Sequence, residues 1–205
     1  MREVAYNTLI QKRRQQLHGD TARAIASLYP ADEYVEIIAY HYGKTTEHAE
    51  AAGWLERAGD RAAGIYANET AIANYQEARR RWELVDGDGA LLAQLDEKLG
   101  EVLHTAGRYD EVIPRLERAV ETYRDARDLE GAGRAAALLG RAHDNRGTGQ
   151  EGLIWVEPMV EMLAWSGPSP PSPPSTSPWR ASFRHWGGTR RCWRRRSERR
   201  RSRPR

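Results

Sequence analysis

Three glycines constrain this chain more tightly than anything else in it. Gly59, Gly100 and Gly140 recur at spacings of 41 and 40 residues, and each follows an apolar residue: Ala58, Leu99 and Leu139. Twelve residues beyond each glycine stand Ala71, Val112 and Gly152, then Tyr75, Leu116 and Val156, then Ala78, Ala119 and Met159. Periods of roughly 20 to 50 residues mean stacked copies of one supersecondary unit. An irregular bundle would show no fixed period. Small residues midway along one helix and early in the next let the two approach closely, while larger ones fill the space between units.

The unit is helical. From Arg2 to Trp165 the chain is rich in Ala, Leu, Glu and Arg, and its apolar residues recur three and four apart. Breaks fall at His18-Gly19-Asp20, Tyr29-Pro30, Gly43-Lys44-Thr45-Thr46, Asp86-Gly87-Asp88-Gly89, Gly107 and Gly147-Thr148-Gly149. These signals divide the body into about nine helices. Thr46 reads as an N-cap and Gly107 as a left-handed C-terminal stop. Short loops make neighbouring helices antiparallel. The expected fold is all-α, a superhelix of antiparallel helix hairpins. Its grammar resembles the tetratricopeptide repeat, with helices longer than the usual period of about 34 allows. The third repeat is the weakest, because Gly152 and Pro158 interrupt its second helix.

Three further stretches carry a wider resemblance: Glu3-Val4-Ala5-Tyr6 through Arg13-Arg14-Gln15-Gln16-Leu17-His18, then Ala39-Tyr40-His41-Tyr42, then Trp54-Leu55-Glu56-Arg57-Ala58-Gly59-Asp60-Arg61-Ala62. With the repeats, they resemble the region following the ATPase module in bacterial AAA/STAND-type signalling proteins. Such proteins are often fused to class III adenylate/guanylate cyclases or to LuxR-type DNA-binding domains. The resemblance implies a helical remnant over 1–30, tetratricopeptide-like repeats over 31–165, and an internal start at Met1. No Gly-x4-Gly-Lys-Ser/Thr loop is present. ATPase and cyclase activities are therefore implied for relatives and assigned to no residue here.

Residues 166–205 differ in kind. They hold twelve Arg and one acid, Glu198, a net of +11, which against +3 for the whole chain leaves −8 for residues 1–165. Taken literally this is a disordered Pro/Ser/Arg-rich tail. Read one nucleotide earlier, the codons of His185-Trp186 must give Leu, those of Trp186-Gly187 Gly, and those of Cys192-Trp193 Leu. That glycine falls at 187, forty residues after Gly147, which itself follows Gly107 by forty. The periodicity points to a frameshift that hides a fourth repeat.

The acidic body gives no electrostatic reason to bind nucleic acid. The Arg/Trp tail offers a weaker, nonspecific nucleic-acid reading. A single cysteine, Cys192, and the lack of a leading apolar stretch point to a reducing, cytoplasmic setting. Asp86-Gly87-Asp88-Gly89 opens like a calcium loop but puts Leu91 where the sharp turn needs Gly, so an inter-helix loop is expected. Gly131-Ala132-Gly133-Arg134 mimics a dinucleotide fingerprint with no strand before it, so its small residues suit helix packing. The six histidines form no metal-ligand spacing, and His41, between two tyrosines, is expected to pack. Asp110-Glu111 suits a helix start. The sequence thus implies no catalytic residue, cofactor or metal, and a non-enzymatic chain.

What remains is the inner wall that first helices would line. The candidate partner groove comprises Glu56, Asp60, Gln94, Glu97, Glu101, His104, Arg134, Arg141, Asp144 and Asn145. Glu97 and Glu101 oppose capture of a terminal carboxylate, so the expected partner is a protein or peptide with a basic or amphipathic segment. The function expected is a protein-interaction or regulatory repeat module from a signalling ATPase or cyclase. The alternative is an inactive fragment of such an enzyme. Because terminal repeats need a polar cap, self-association is expected through Leu153, Val156, Met159 and Val160.

Overall fold

The computed structural model describes residues 10–165. The helical segment expected at Glu3-Val4-Ala5-Tyr6 and the tail over 166–205, with the frameshift expected there, lie outside the described residues. Among the described residues there are eight helices and no strand: α1 (Gln11–Leu28), α2 (Val35–Tyr42), α3 (His48–Gly64), α4 (Asn68–Glu83), α5 (Gly89–Thr105), α6 (Tyr109–Asp125), α7 (Leu129–Arg146) and α8 (Gly149–Trp165). They form an all-α array of hairpins, as the periodicity predicts. Each helix packs on its neighbours in sequence; α5 also reaches α7.

The glycines explain the hairpins. A β-carbon at Gly59 would lie 2.6 Å from the Tyr75 ring, one at Gly100 2.9 Å from Leu116, and one at Gly140 2.8 Å from Val156. Each pair is sixteen residues apart across a turn, so α3/α4, α5/α6 and α7/α8 are antiparallel hairpins built on one contact. Around these contacts Leu95, Leu99, Leu103, Val112, Leu116 and Leu139 are buried in a continuous core. Gly131 serves a second close approach, between hairpins, with the Tyr123 ring 2.7 Å from where its β-carbon would be. That bears out the packing reading of Gly131-Ala132-Gly133.

The turns repeat with the same period. Gly107 (φ 73°) and Gly147 (φ 84°) are left-handed, and so is Tyr66 (φ 58°), 41 residues before Gly107. Asp86 (φ 50°) and Arg127 (φ 60°), also 41 apart, mark the other class of turn. Gly107 is thus the stop the sequence indicates. Thr46 is not a cap: α3 begins after Glu47 with no side-chain cap, and Thr45 Oγ1 instead accepts the Glu47 N–H at 3.1 Å. Asp88 caps α5 by accepting from Ala90 N at 3.3 Å, so the Asp86–Gly89 segment is an inter-helix loop. Asp110 and Glu111 lie in the first turn of α6. Pro158 lies inside α8 without ending it.

Two charged groups are buried where hairpins meet. Arg81 of α4 donates to Gly43 O (2.5 Å), Thr45 O (2.8 Å) and Glu77 Oε1 (2.8 Å), fastening the loop after α2 to α4. Asp96 of α5, its side chain 4% exposed, lies 3.0 Å from Arg79 Nε of α4 and 3.4 Å from Arg115 Nη1 of α6. At the far end, Met159 is buried in its own hairpin beside Trp155 rather than exposed. That corrects its place among the self-association residues: in α8 Val160 is exposed and Leu153 and Val156 are half-buried.

Candidate functional site

α5 touches α7 directly, and side-chain bonds join α3 to α5, so the first helices α3, α5 and α7 share one wall of the array. Their outward residues form a wall of charge tied together from one hairpin to the next. Lys98 of α5 donates to Glu56 Oε1 (2.8 Å) and to Asp60 Oδ1 (2.8 Å) and Oδ2 (2.9 Å) of α3. Arg134 Nε of α7 donates to Glu97 Oε1 of α5 at 3.1 Å. Asn145 Nδ2 of α7 meets His104 Nε2 of α5 at 2.8 Å.

A tyrosine from the second helix backs Asp60 and Glu97. Tyr75 donates to Asp60 Oδ1 at 2.8 Å, and Tyr123 to Glu97 Oε2 at 3.1 Å. The same connection thus recurs: a first-helix carboxylate, the tyrosine of its own hairpin, and a cation from the next first helix. Burial and the neighbouring carboxylates push both phenols well above their ordinary range, so they remain hydrogen-bond donors. Burial alone would lower the Lys98 ammonium, but its bonds to Asp60 and Glu56 outweigh that and raise it.

Of the ten residues expected in the groove, Glu56, Asp60, Glu97, His104, Arg134 and Asn145 meet through these cross-hairpin contacts. Glu101, Arg141 and Asp144 are exposed on the same helices, and so is Gln94. Glu101 acts electrostatically on Tyr75, and Arg141 on His104. Lys98, Tyr75 and Tyr123 are the participants that sequence reasoning missed as such. Tyr75 was legible as a packing residue and Tyr123 was not singled out; which carboxylate either hydroxyl reaches depends on helix rotation. Lys98 carried no signal, because the equivalent positions of the neighbouring repeats hold Arg57 and Leu138. The wall is also less acidic than expected, since Lys98 offsets one of the two carboxylates it touches.

Histidines make the array pH-sensitive. Burial lowers His143, whose Nδ1 meets Thr148 Oγ1 at 2.9 Å and whose buried Nε2 has no hydrogen-bond partner. Burial also lowers His104, His18 and His41. His41 does more than pack, since its Nδ1 lies 2.8 Å from Nδ1 of His18 on α1, one ring donating to the other. Because the folded values lie below 6.5, the unfolded chain binds more protons as pH falls. Stability is complete above about pH 6.5 and is lost on acidification through the lowered folded values. We expect Tm to fall between about pH 7 and pH 5, and His143→Asn to remove part of that slope in a circular-dichroism melt series. A melt independent of pH over this range would contradict the burial of these rings.

Among the described residues no helix is long and apolar enough to cross a membrane, and no group of three His, Cys, Asp or Glu side chains is placed to hold a metal ion. No curated protein matches the chain. Among solved structures, BtubC (BKLC) from P. vanneervenii is similar in fold, with a TM-score of 0.59 at 18% identity over 80% of this chain and 68% of that one. Residues 67–125, which run through α4, α5 and α6, match the tetratricopeptide repeat family. That match spans 59 of the 205 residues, so a stretch similar to tetratricopeptide repeats lies within the all-α array.

Proposed function

We propose that this chain is a non-catalytic, cytoplasmic interaction module whose inner wall receives a basic or amphipathic segment of a protein partner. The observation that carries the reading is the line of carboxylates Glu56, Asp60, Glu97 and Glu101 along α3 and α5. Lys98 and the two tyrosines hold three of them in fixed positions, so a cationic ligand meets a preorganised acidic surface. Glu101, exposed and adjacent, is the carboxylate such a ligand reaches first.

Anisotropy of a labelled amphipathic Lys/Leu peptide tests this on the full chain. The double variant Asp60→Lys/Glu101→Lys is expected to bind about three- to tenfold more weakly at low salt. Equal affinity for that variant and the wild type would overturn the proposal.

We read the module as the segment that follows the nucleotide-binding part of a bacterial signalling ATPase or nucleotide cyclase, with residues 1–30 as a remnant of the preceding segment and 31–165 as repeats. The support is the Trp54–Ala62 run together with the period. Resequencing the DNA on both sides of the coding segment tests it: an upstream frame encoding a phosphate-binding loop and a downstream frame continuing the forty-residue period are expected. A stop codon in every frame immediately upstream of Met1 would overturn it.

A further inference from the structure

The links along the wall keep a register, and the last seam departs from it. Two residues before Gly59, Gly100 and Gly140 stand Arg57, Lys98 and Leu138, and one residue after them stand Asp60, Glu101 and Arg141. Arg57 reaches back to Asp32 at 3.8 Å, and Lys98 reaches back to Glu56 and Asp60 at 2.8 Å each. On α7 that place is taken by Leu138, which is buried. Glu101 therefore lacks the counterpart of the ammonium that neutralises Asp60. Arg141 is the second departure, a cation where α3 and α5 carry carboxylates.

Both departures leave charge uncompensated. Glu101 and Arg141 are exposed, and neither side chain enters an ion pair among the described residues. The other cation that α7 brings to this wall is engaged, with Arg134 on Glu97 at 3.1 Å and on Glu130 at 3.6 Å. Glu101 acts on the Tyr75 phenol, which is bonded to Asp60 of α3, whereas Arg141 acts on His104. Asp144 stands one row further along α7, where the equivalent positions hold Ala63 and His104. Across the seam between α5 and α7 the row thus changes sign, from Asp60 and Glu101 to Arg141.

We infer that the partner segment received by this wall is charge-segregated, bringing a cation to Glu101 and a carboxylate to Arg141. The inference rests on the acidic-wall reading and narrows it. Packed helix axes lie about 10 Å apart, which is the rise of about seven residues along a helix. A helical segment lying across α5 and α7 therefore meets both charges when a Lys or Arg and an Asp or Glu stand seven residues apart in it. A uniformly basic segment satisfies Glu101 but sets a like charge against Arg141, and that repulsion is what discriminates against it. Both contacts are exposed, so they select by sign and contribute modestly to affinity.

Three labelled Leu-rich helical peptides of equal length test this by anisotropy on the full chain. The polar face of the first carries Lys in one half and Glu in the other, that of the second carries Lys throughout, and that of the third interleaves Lys and Glu so that they pair within the peptide. At about 0.15 M salt, where long-range attraction is screened, the segregated peptide is expected to bind about threefold more tightly than either of the others. Arg141→Glu should reverse the order, the all-Lys peptide then binding about three- to tenfold more tightly than the segregated one. Asp144→Asn should keep the wild-type order, since that carboxylate lies in the next row. All these positions are exposed, so the melts of the variants should match the wild type. A wild type that prefers the all-Lys peptide, or an order that Arg141→Glu leaves unchanged, would overturn the inference. If Asp60→Lys/Glu101→Lys still weakens the all-Lys peptide in that case, the acidic-wall reading stands without it; if no peptide responds to that double variant, both fall.

Discussion

Replacing Arg81 by Met is expected to destabilise the array by about 2 to 4 kcal/mol, lowering Tm by roughly 5 to 15 °C for a body of this size. The side chain is buried against the carbonyls of Gly43 and Thr45 and against Glu77. Methionine fills the volume and satisfies none of these acceptors. A buried carbonyl stripped of its donor loses more than the bond contributed, because water does not replace the donor. Glu77 is partly exposed and Arg80 also holds it, at 2.5 Å, so the loss concentrates on the two carbonyls. Arg81→Lys keeps the charge but not the planar fork that reaches both, so it should recover only part of the stability. The loop after α2 should then exchange amide hydrogens faster while α5 to α8 change little. A Met variant that melts with the wild type would show that the loop is held by other contacts.

Gly59→Ala and Gly53→Ala, six residues apart on α3, should move stability in opposite directions. Inside a helix, alanine is favoured over glycine by about 0.5 to 1 kcal/mol. At Gly53 nothing lies within 4 Å of the added carbon, so that gain is realised. At Gly59 the carbon meets the Tyr75 ring at 2.6 Å, and Tyr75 is held in place by its bond to Asp60. Overpacking of this kind costs about 1 to 3 kcal/mol, enough to reverse the sign. Denaturant melts of the two variants check this, and parallel shifts would mean that α3 and α4 separate without cost.

These positions also show what the sequence makes legible. Gly59, Gly100 and Gly140 are visible because the demand they meet is local and negative: no side chain fits. Gly107 and Gly147 are visible because glycine relieves a left-handed turn. Tyr66, Asp86 and Arg127 adopt the same backbone without that marker, so only the period locates them. Arg81 and Asp96 were not foreseen as buried, since each is covered by segments far away in sequence. The face carrying Glu56, Asp60, Glu97 and Glu101 follows from helical periodicity. Its wiring through Lys98, Arg134 and the two tyrosines does not, because a shift of one position along a neighbouring helix would have paired each acid differently. Met159 was misread for the related reason that one turn of α8 carries both the inward and the open residues.

The wiring of the inner wall bears on how the array deforms. Consecutive first helices are joined by short polar links at Lys98, Arg134 and Asn145, and α5 also touches α7 directly. The inner side is therefore expected to resist stretching more than the outer side, as in a leaf spring with one stiff lamina. Small rotations at successive seams add up along the stack, so the radius of the wall is an elastic variable. A ligand lying across several links would feel that stiffness as part of its binding energy.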